Sequence, residues 1–339
     1  MNATPRQATS KRPMPATGRR PLTKTIIATT LVLVVASTPA CGLGSTAGRA
    51  AENELADTAP TIEELAEATF AGVFDEPVTL TGGRWGGAPF VEGGASRPTA
   101  GLVEDFVRTG DVDGDGREDA VVLLWENSGG SGTRTYLAAM GRAGGSIVNL
   151  GTALVGDRVQ VKAGFIADGL ITLDLIQAGP GEAACCPTQK AVAGWRLIDG
   201  SLTPTESVNT GTLSLEDLRG PEWRLAAIGW DDPVLEEPGA VIRFDGDKVT
   251  GNGGCNGYFG TVTGNAPGQL EFSAMGTTMM ACPEPAMDLE RRYLRTLAGG
   301  SSYSFVGGRL VIGCETDDGP VALVFNRIES EESSSEDSP

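Results

Sequence analysis

The sequence of 339 residues predicts a mainly β, α+β fold: two domains of antiparallel sheet, each with a short helix. Three observations carry that expectation. Short runs rich in Val, Ile and Thr recur along the chain, 48 glycines and 20 prolines break them into strand lengths, and only two segments have the spacing of a helix.

Residues 1–40 come before any of these runs and read as an export signal. Arg6, Lys11, Arg12, Arg19, Arg20 and Lys24 have no acidic neighbour, the apolar run TIIATTLVLVVA follows, and small residues lead to Cys41. A membrane span needs roughly 20 apolar residues, and this run is shorter. The segment resembles a bacterial lipoprotein signal, in which the cysteine after the cleavage point is acylated and becomes the first residue of the mature chain. GRRPLTK is also similar to a twin-arginine signal. The resemblance implies palmitate on Cys41 and a chain held by lipid to the membrane on the extracytoplasmic side of the cell envelope. Residues 41–60 are small, polar and aperiodic, as a tether would be. Residues 329–339 form an acidic, serine-rich tail with nothing to bury.

Loss of residues 1–40 removes six of 26 basic residues and none of the 44 acidic ones, which takes the formal charge from −18 to −24. A surface of that sign repels phosphate backbones, so nucleic acid is excluded as a partner. Histidine is absent from the chain. Serine–histidine and cysteine–histidine nucleophile pairs and histidine-ligated zinc are therefore excluded as well.

The first body spans 61–214. Thr61 with Glu64 three residues on reads as a capping box opening the helix TIEELAEATF. PVTLTG, DAVVLLWE, TYLAAM, RVQVKAGF, LITLDLI and AGWRLIDGSL then read as strands. GTLSLEDLRG, with one helical turn, reads as the linker to a second body spanning 215–328.

In the second body the stretches EWRLAAI, VIRFDGDKVTGNGGCNGYFGTV, MGTTMMACPEPAMDLERRYLRTL, GGRLVIGC and ALVFNR follow one another over about a hundred residues. GNGGCNGYFG holds five glycines, which implies sharply turning backbone with little room for side chains. MDLERRYLRTL sets Tyr293, Leu294 and Leu297 on one stripe and Arg291, Arg292 and Arg295 on the other, so this helix should lie against a sheet. In order and content these stretches resemble the META domain of the HslJ heat-shock lipoprotein family. The resemblance implies a compact, mainly β domain with one helix and a role in envelope stress or surface-protein integrity, and it implies no reaction. It also implies a disulfide between Cys255 and Cys282, which lie in the two signature segments; buried free thiols are the alternative. Cys185 and Cys186 read as a vicinal disulfide or thiol site, or as one cysteine bonded at a distance, with Cys314 available, and one buried.

The 61–214 body resembles an uncharacterised module that accompanies META domains in bacterial envelope proteins. Within it GDVDGDGREDA is similar to the calcium loops of integrin-type repeats. Calcium takes six to eight oxygens, and a loop of this type supplies them from alternate positions with glycine at the sixth. Counted from Asp111, carboxylates fall at Asp111, Asp113, Asp115 and Asp119, glycine at Gly116 and a backbone carbonyl at Arg117. Val122 stands where a closing glutamate would be, and a strand follows where another calcium loop has a helix. A solvated turn is the other reading, since Asp and Gly favour turns on their own account. NSGGSG, residues 127–132, is open to two readings in the same way: a nest of backbone amides or a hairpin loop.

Two functions fit these features. One is a non-enzymatic envelope lipoprotein that binds another envelope protein or a surface polymer, or supports the envelope under stress. The other is a calcium-dependent hydrolase or ligand-binding enzyme housed in 61–214.

Overall fold

Thr61 and Glu64 satisfy one another's backbone at the start of α1 (Ile62–Leu65): the Glu64 carboxylate accepts from Thr61 N at 2.9 Å and the Thr61 hydroxyl accepts from Glu64 N at 3.4 Å. The computed structural model describes residues 58–328 except Ser131 and Glu236. The signal at 1–40, Cys41, nearly all of the 41–60 tether and the 329–339 tail lie outside the described residues. Among the described residues the chain is strand-rich, its sheets are antiparallel, and its only α-helices are two short ones.

The N-terminal half is built in layers. Helix α1 with the ribbon β1 (Thr69–Phe70) and β2 (Val78–Thr79) makes the first. The second is a meander of β3 (Arg84–Gly86), β4 (Thr99–Gly110), β5 (Asp119–Asn127), β6 (Arg134–Ala143) and β7 (Ser146–Asp157), paired in that order. The third is another meander of β8 (Gln160–Ala167), β9 (Leu170–Gln177), β10 (Gln189–Ile198) and β11 (Ser201–Thr212). The continuous apolar run of β5 follows from this stacking. Val121 and Leu123 pack with Phe106, Leu173 and Trp195 toward the third layer, whereas Val122 and Leu124 pack with Leu65, Phe70 and Leu80 toward the first.

A 3-10 turn (Leu215–Leu218) leads into the second half. Its strands are β12 (Glu222–Ile228), β13 (Val241–Asp245), β14 (Lys248–Asn252), β15 (Gly257–Thr263), β16 (Glu271–Phe272), β17 (Gly276–Thr277), β18 (Gly300–Val306), β19 (Arg309–Thr316) and β20 (Gly319–Ile328). The pairing order is β16-β15-β14-β13-β12-β20-β19-β18, with β17 also on β15. Beside β16, Gln269 bridges to Ser302 of β18, and Leu270 N donates to Ser301 O at 3.2 Å, so the sheet closes into a barrel. Helix α2 (Glu284–Leu297) lies against β19 and β20, with Leu289, Tyr293 and Leu297 in the core and Arg291, Arg292 and Arg295 exposed.

The stretch read as a linker is pinned between the two halves. Leu213 and Leu218 join Ile176 of β9 in the barrel's core cluster, and the Asp217 carboxylate accepts from Lys162 and Lys190 at 2.9 Å each. Two backbone contacts tie the halves further: Phe305 N donates to Gln160 Oε1 at 3.0 Å and Gly308 N to Val161 O at 2.9 Å.

Candidate functional site

Residues 111–118 join β4 to β5, and the turn is closed by its own carboxylates. Gly114 N donates to Asp111 Oδ1 at 2.7 Å, Gly116 N to Asp111 Oδ2 at 3.0 Å, Asp115 N to Asp113 Oδ1 at 3.0 Å and Arg117 N to Asp115 Oδ1 at 2.9 Å. Gly114 and Gly116 have φ of 80° and 85°, a region that side-chain-bearing residues rarely enter, which explains glycine at both places. These bonds aim the carboxylates inward: one oxygen each from Asp111, Asp113 and Asp115 lies within 4.8 Å of the others.

Asp119 does not join that trio. It sits at the first position of β5, buried, and its Oδ2 accepts from Val112 N at 3.0 Å beneath the loop. Burial, with the nearby charges of Asp113 and Asp115, pushes its carboxyl up to about 6 despite that bond. Asp115 has the opposite shift, downward, because the Arg117 side chain and backbone both donate to it. Thus the Arg117 guanidinium already lies on one of the four carboxylates, with Nε at 2.8 Å from Asp115 Oδ2. The donor set suits a hard cation: carboxylate oxygens converge, each retains lone pairs beyond its turn bond, and one buried carboxylate is short of compensating charge. An open cavity of about 500 Å³ adjoins the loop, with Asp168 and Arg196 on its far wall.

NSGGSG connects β5 to β6 as a hairpin loop. The Asn127 amide donates to the carbonyls of Gly130 and Gly132, at 3.2 and 3.0 Å, and its oxygen accepts from Gly129 N at 2.7 Å. Cys185 and Cys186 lie in the exposed turn between β9 and β10, their sulfurs 2.6 Å apart. Glu182 holds that turn at the surface by accepting from Gly179 N, Thr188 N and the Thr188 hydroxyl. Neither thiol is buried, and Cys314 lies in the barrel core, where burial pushes its thiol up to about 12.

In the barrel the glycine-rich signature is a packing device. A Cβ on Gly251 would lie 2.0 Å from Val241 O and 2.5 Å from the Tyr258 hydroxyl, so no larger residue fits there. Buried Asn256 is a hub. Its backbone N and Nδ2 donate to the Glu290 carboxylate on α2, at 2.5 and 3.1 Å, and its Oδ1 accepts from Thr278 Oγ1 at 2.9 Å and Met280 N at 2.6 Å. Cys255 and Cys282 are bonded, with Cα atoms 5.9 Å apart, so bond and hub bind the same two segments. The Tyr258 hydroxyl donates to Val241 O at 3.0 Å and lies 2.6 Å from that of Tyr293. Cys255, Asn256, Tyr258 and Tyr293 are buried, whereas Thr278 and Met280 reach the surface. Sequence reading missed Glu290, whose exposed-looking position on an Arg-rich helix face gives no sign of its partner 34 residues away.

These geometries lie inside a stretch that matches a known family: residues 216–326 match the model described as META domain. Residues 216–326 form a META domain. A META domain points to an envelope-associated protein. No curated protein matches the chain. The NMR structure of a protein from Burkholderia xenovorans aligns with 37% of this chain and 96% of its own, at 21% identity and a TM-score of 0.28, too low a score to carry an argument.

Of the large apolar side chains that the META domain leaves uncovered, Trp230 and Leu235 lie elsewhere and three lie near its hub. Met279 is 97% exposed, Met280 57% and Phe259 62%, on the edge where β15 pairs with β17. No helix among the described residues is long and apolar enough to cross a membrane.

Proposed function

We propose that this chain is a non-enzymatic lipoprotein of the cell envelope, held by an acylated Cys41 on the extracytoplasmic side, whose META domain binds another envelope protein. The observation that carries the reading is the exposed edge of Phe259, Met279 and Met280. Large apolar side chains this exposed are unfavourable unless something covers them, and methionine suits a surface that adapts to a partner. Asn256 and the Cys255–Cys282 bond hold the backbone on either side of the two methionines, so the edge is presented rather than loose. Support under heat or envelope stress is then a consequence of that binding.

Calcium belongs to this reading as a structural cation of the 61–214 body. Asp111, Asp113, Asp115 and the Arg117 carbonyl would hold it, with Asp119 beneath the loop rather than among the ligands, and it would neutralise the charge that Arg117 offsets only in part.

The test is capture from detergent-solubilised envelopes by the acylated chain and by its Met279→Asp/Met280→Asp variant, with calcium and with a chelator. A defined partner retained by the native chain and lost by the variant supports the reading. Equal capture by both would remove the edge as the binding surface. Turnover of a glycoside or ester substrate that Asp113→Ala abolishes would replace the reading with the calcium-dependent hydrolase.

A further inference from the structure

On a chain of net charge −18, the seam between the layered half and the META barrel has walls rich in arginine. A cleft of about 480 Å³ there is lined by Arg84, Arg158 and Arg309, with Asp231 as the acidic residue on the wall. Arg309 and Arg158 also reach carboxylates just outside it, Asp105 at 3.2 Å and Asp157 at 2.9 Å, while Arg84 has no carboxylate within 4.0 Å among the described residues. The remaining wall is mixed: Thr133, Thr135, Gln160 and Ser304 are polar, and the apolar part includes Trp125, Trp230 and Phe305.

Two of these groups are placed in ways the fold itself does not need. Trp230 sits at the tip of a tight turn, where Ile228 N donates to Asp232 O at 3.1 Å, and the residue is 58% exposed. Trp125 lies over Gly101, whose missing Cβ would stand 2.8 Å from the ring. One indole is thus cradled and the other left open across a volume typical of small-ligand sites. Arginine beside an aromatic wall matches a ligand with an apolar body and one anionic group, because guanidinium pairs well with carboxylate and phosphate.

We propose that this cleft binds an anionic amphiphile, its carboxylate or phosphate set among Arg84, Arg158 and Arg309 and its apolar body against Trp125 and Trp230. The site deepens the binding reading above and rests on it only for where such a ligand would be met. Its failure would leave the methionine edge and the anchor untouched, since those are read by capture and by acylation.

The experiment is calorimetric titration of the full chain carrying Cys41→Ser, which removes any acyl group of its own, with decanoate, decyl phosphate and uncharged decanol below their aggregation limits. Decanoate or decyl phosphate should bind, and decanol should bind at least about tenfold more weakly. Arg84→Glu and Trp230→Ala, both at exposed positions, should each weaken the anion by about tenfold while leaving the melting temperature unchanged. Absence of binding by every probe, equal affinity for decanol, or unchanged affinity in both variants would overturn the site.

Discussion

In the barrel, Asn256 places its amide nitrogen, its amide oxygen and its backbone N–H on defined partners; in the loop at 111–119, four carboxylates share one guanidinium from within the loop, that of Arg117. Both regions are dense in polar residues and glycine, and both belong to motifs legible in the sequence. They differ in balance. Each barrel group meets a partner of opposite need, so the motif is consumed in holding α2 and the 278–282 segment to β15. The loop carries more negative charge than its fold requires, and what is left over is available to a cation. Density of a motif therefore says little about chemistry until each group's partner is counted.

The largest effect expected on the barrel side comes from its covalent tie. The Cys255–Cys282 bond closes a loop with a sequence separation of 27, and Cys255→Ser/Cys282→Ser should cost about 3 to 4 kcal/mol on unfolding by urea. A loss under about 1 kcal/mol would show that the hub alone holds these segments. Asn256→Ala comes next, at about 2 kcal/mol, because it removes a buried side chain and leaves Met280 N and one Glu290 oxygen, both in part-buried bonds, without their partner. A neutral result there would erase the distinction between the two regions.

Two aspartates with almost no exposed side chain, Asp119 and Asp217, respond to pH in opposite senses. Asp217 has two lysines: burial pushes its carboxyl up, but the hydrogen bonds from Lys190, Lys162 and Ser214 N outweigh this and hold it below the ordinary value. Its contribution is present above the unfolded value near 4 and is lost as pH falls through the lower native one. Asp119, raised to about 6, does the reverse. Between about pH 4 and 6 the native state binds more protons at Asp119 than the unfolded chain does, so stability falls as pH rises through that window and stays reduced above it. Without calcium, Asp119→Asn should gain on the native chain by about 2 kcal/mol between pH 4 and 7, whereas Asp217→Asn should lose ground over the rise from pH 3 to 5. Parallel profiles for the two variants would break the contrast.

Much of this was legible from sequence where the signal is local. The capping box at Thr61, the apolar run of β5 and the arginine-outside stripe of α2 all rest on residues a few positions apart, and each has one structural solution. The aspartate turn was legible for the same reason, since Asp and Gly at alternate positions close the bonds seen at Asp111 and Asp113. Asp119 was counted with the other three by spacing alone, yet it starts a strand and so points beneath the loop. What joins distant segments left no trace: Glu290 on Asn256, Asp217 between Lys162 and Lys190, and the closure of the barrel at Gln269 and Ser302 depend on partners far away in the chain. The GTLSLEDLRG linker does carry its one helical turn between the two halves, but its polar composition hides the burial of Leu213 and Leu218 in the barrel's core.

The most direct measurement compares melting of the native chain and of Asp113→Asn in excess calcium and in chelator. A ligand bound only by the folded state adds about 2.7 kcal/mol at a hundredfold excess over its dissociation constant, so the native chain should melt several degrees higher in calcium and the variant should not respond. Identical curves for the native chain in calcium and chelator would contradict the account, because the surplus charge of the loop would then have no cation to answer to.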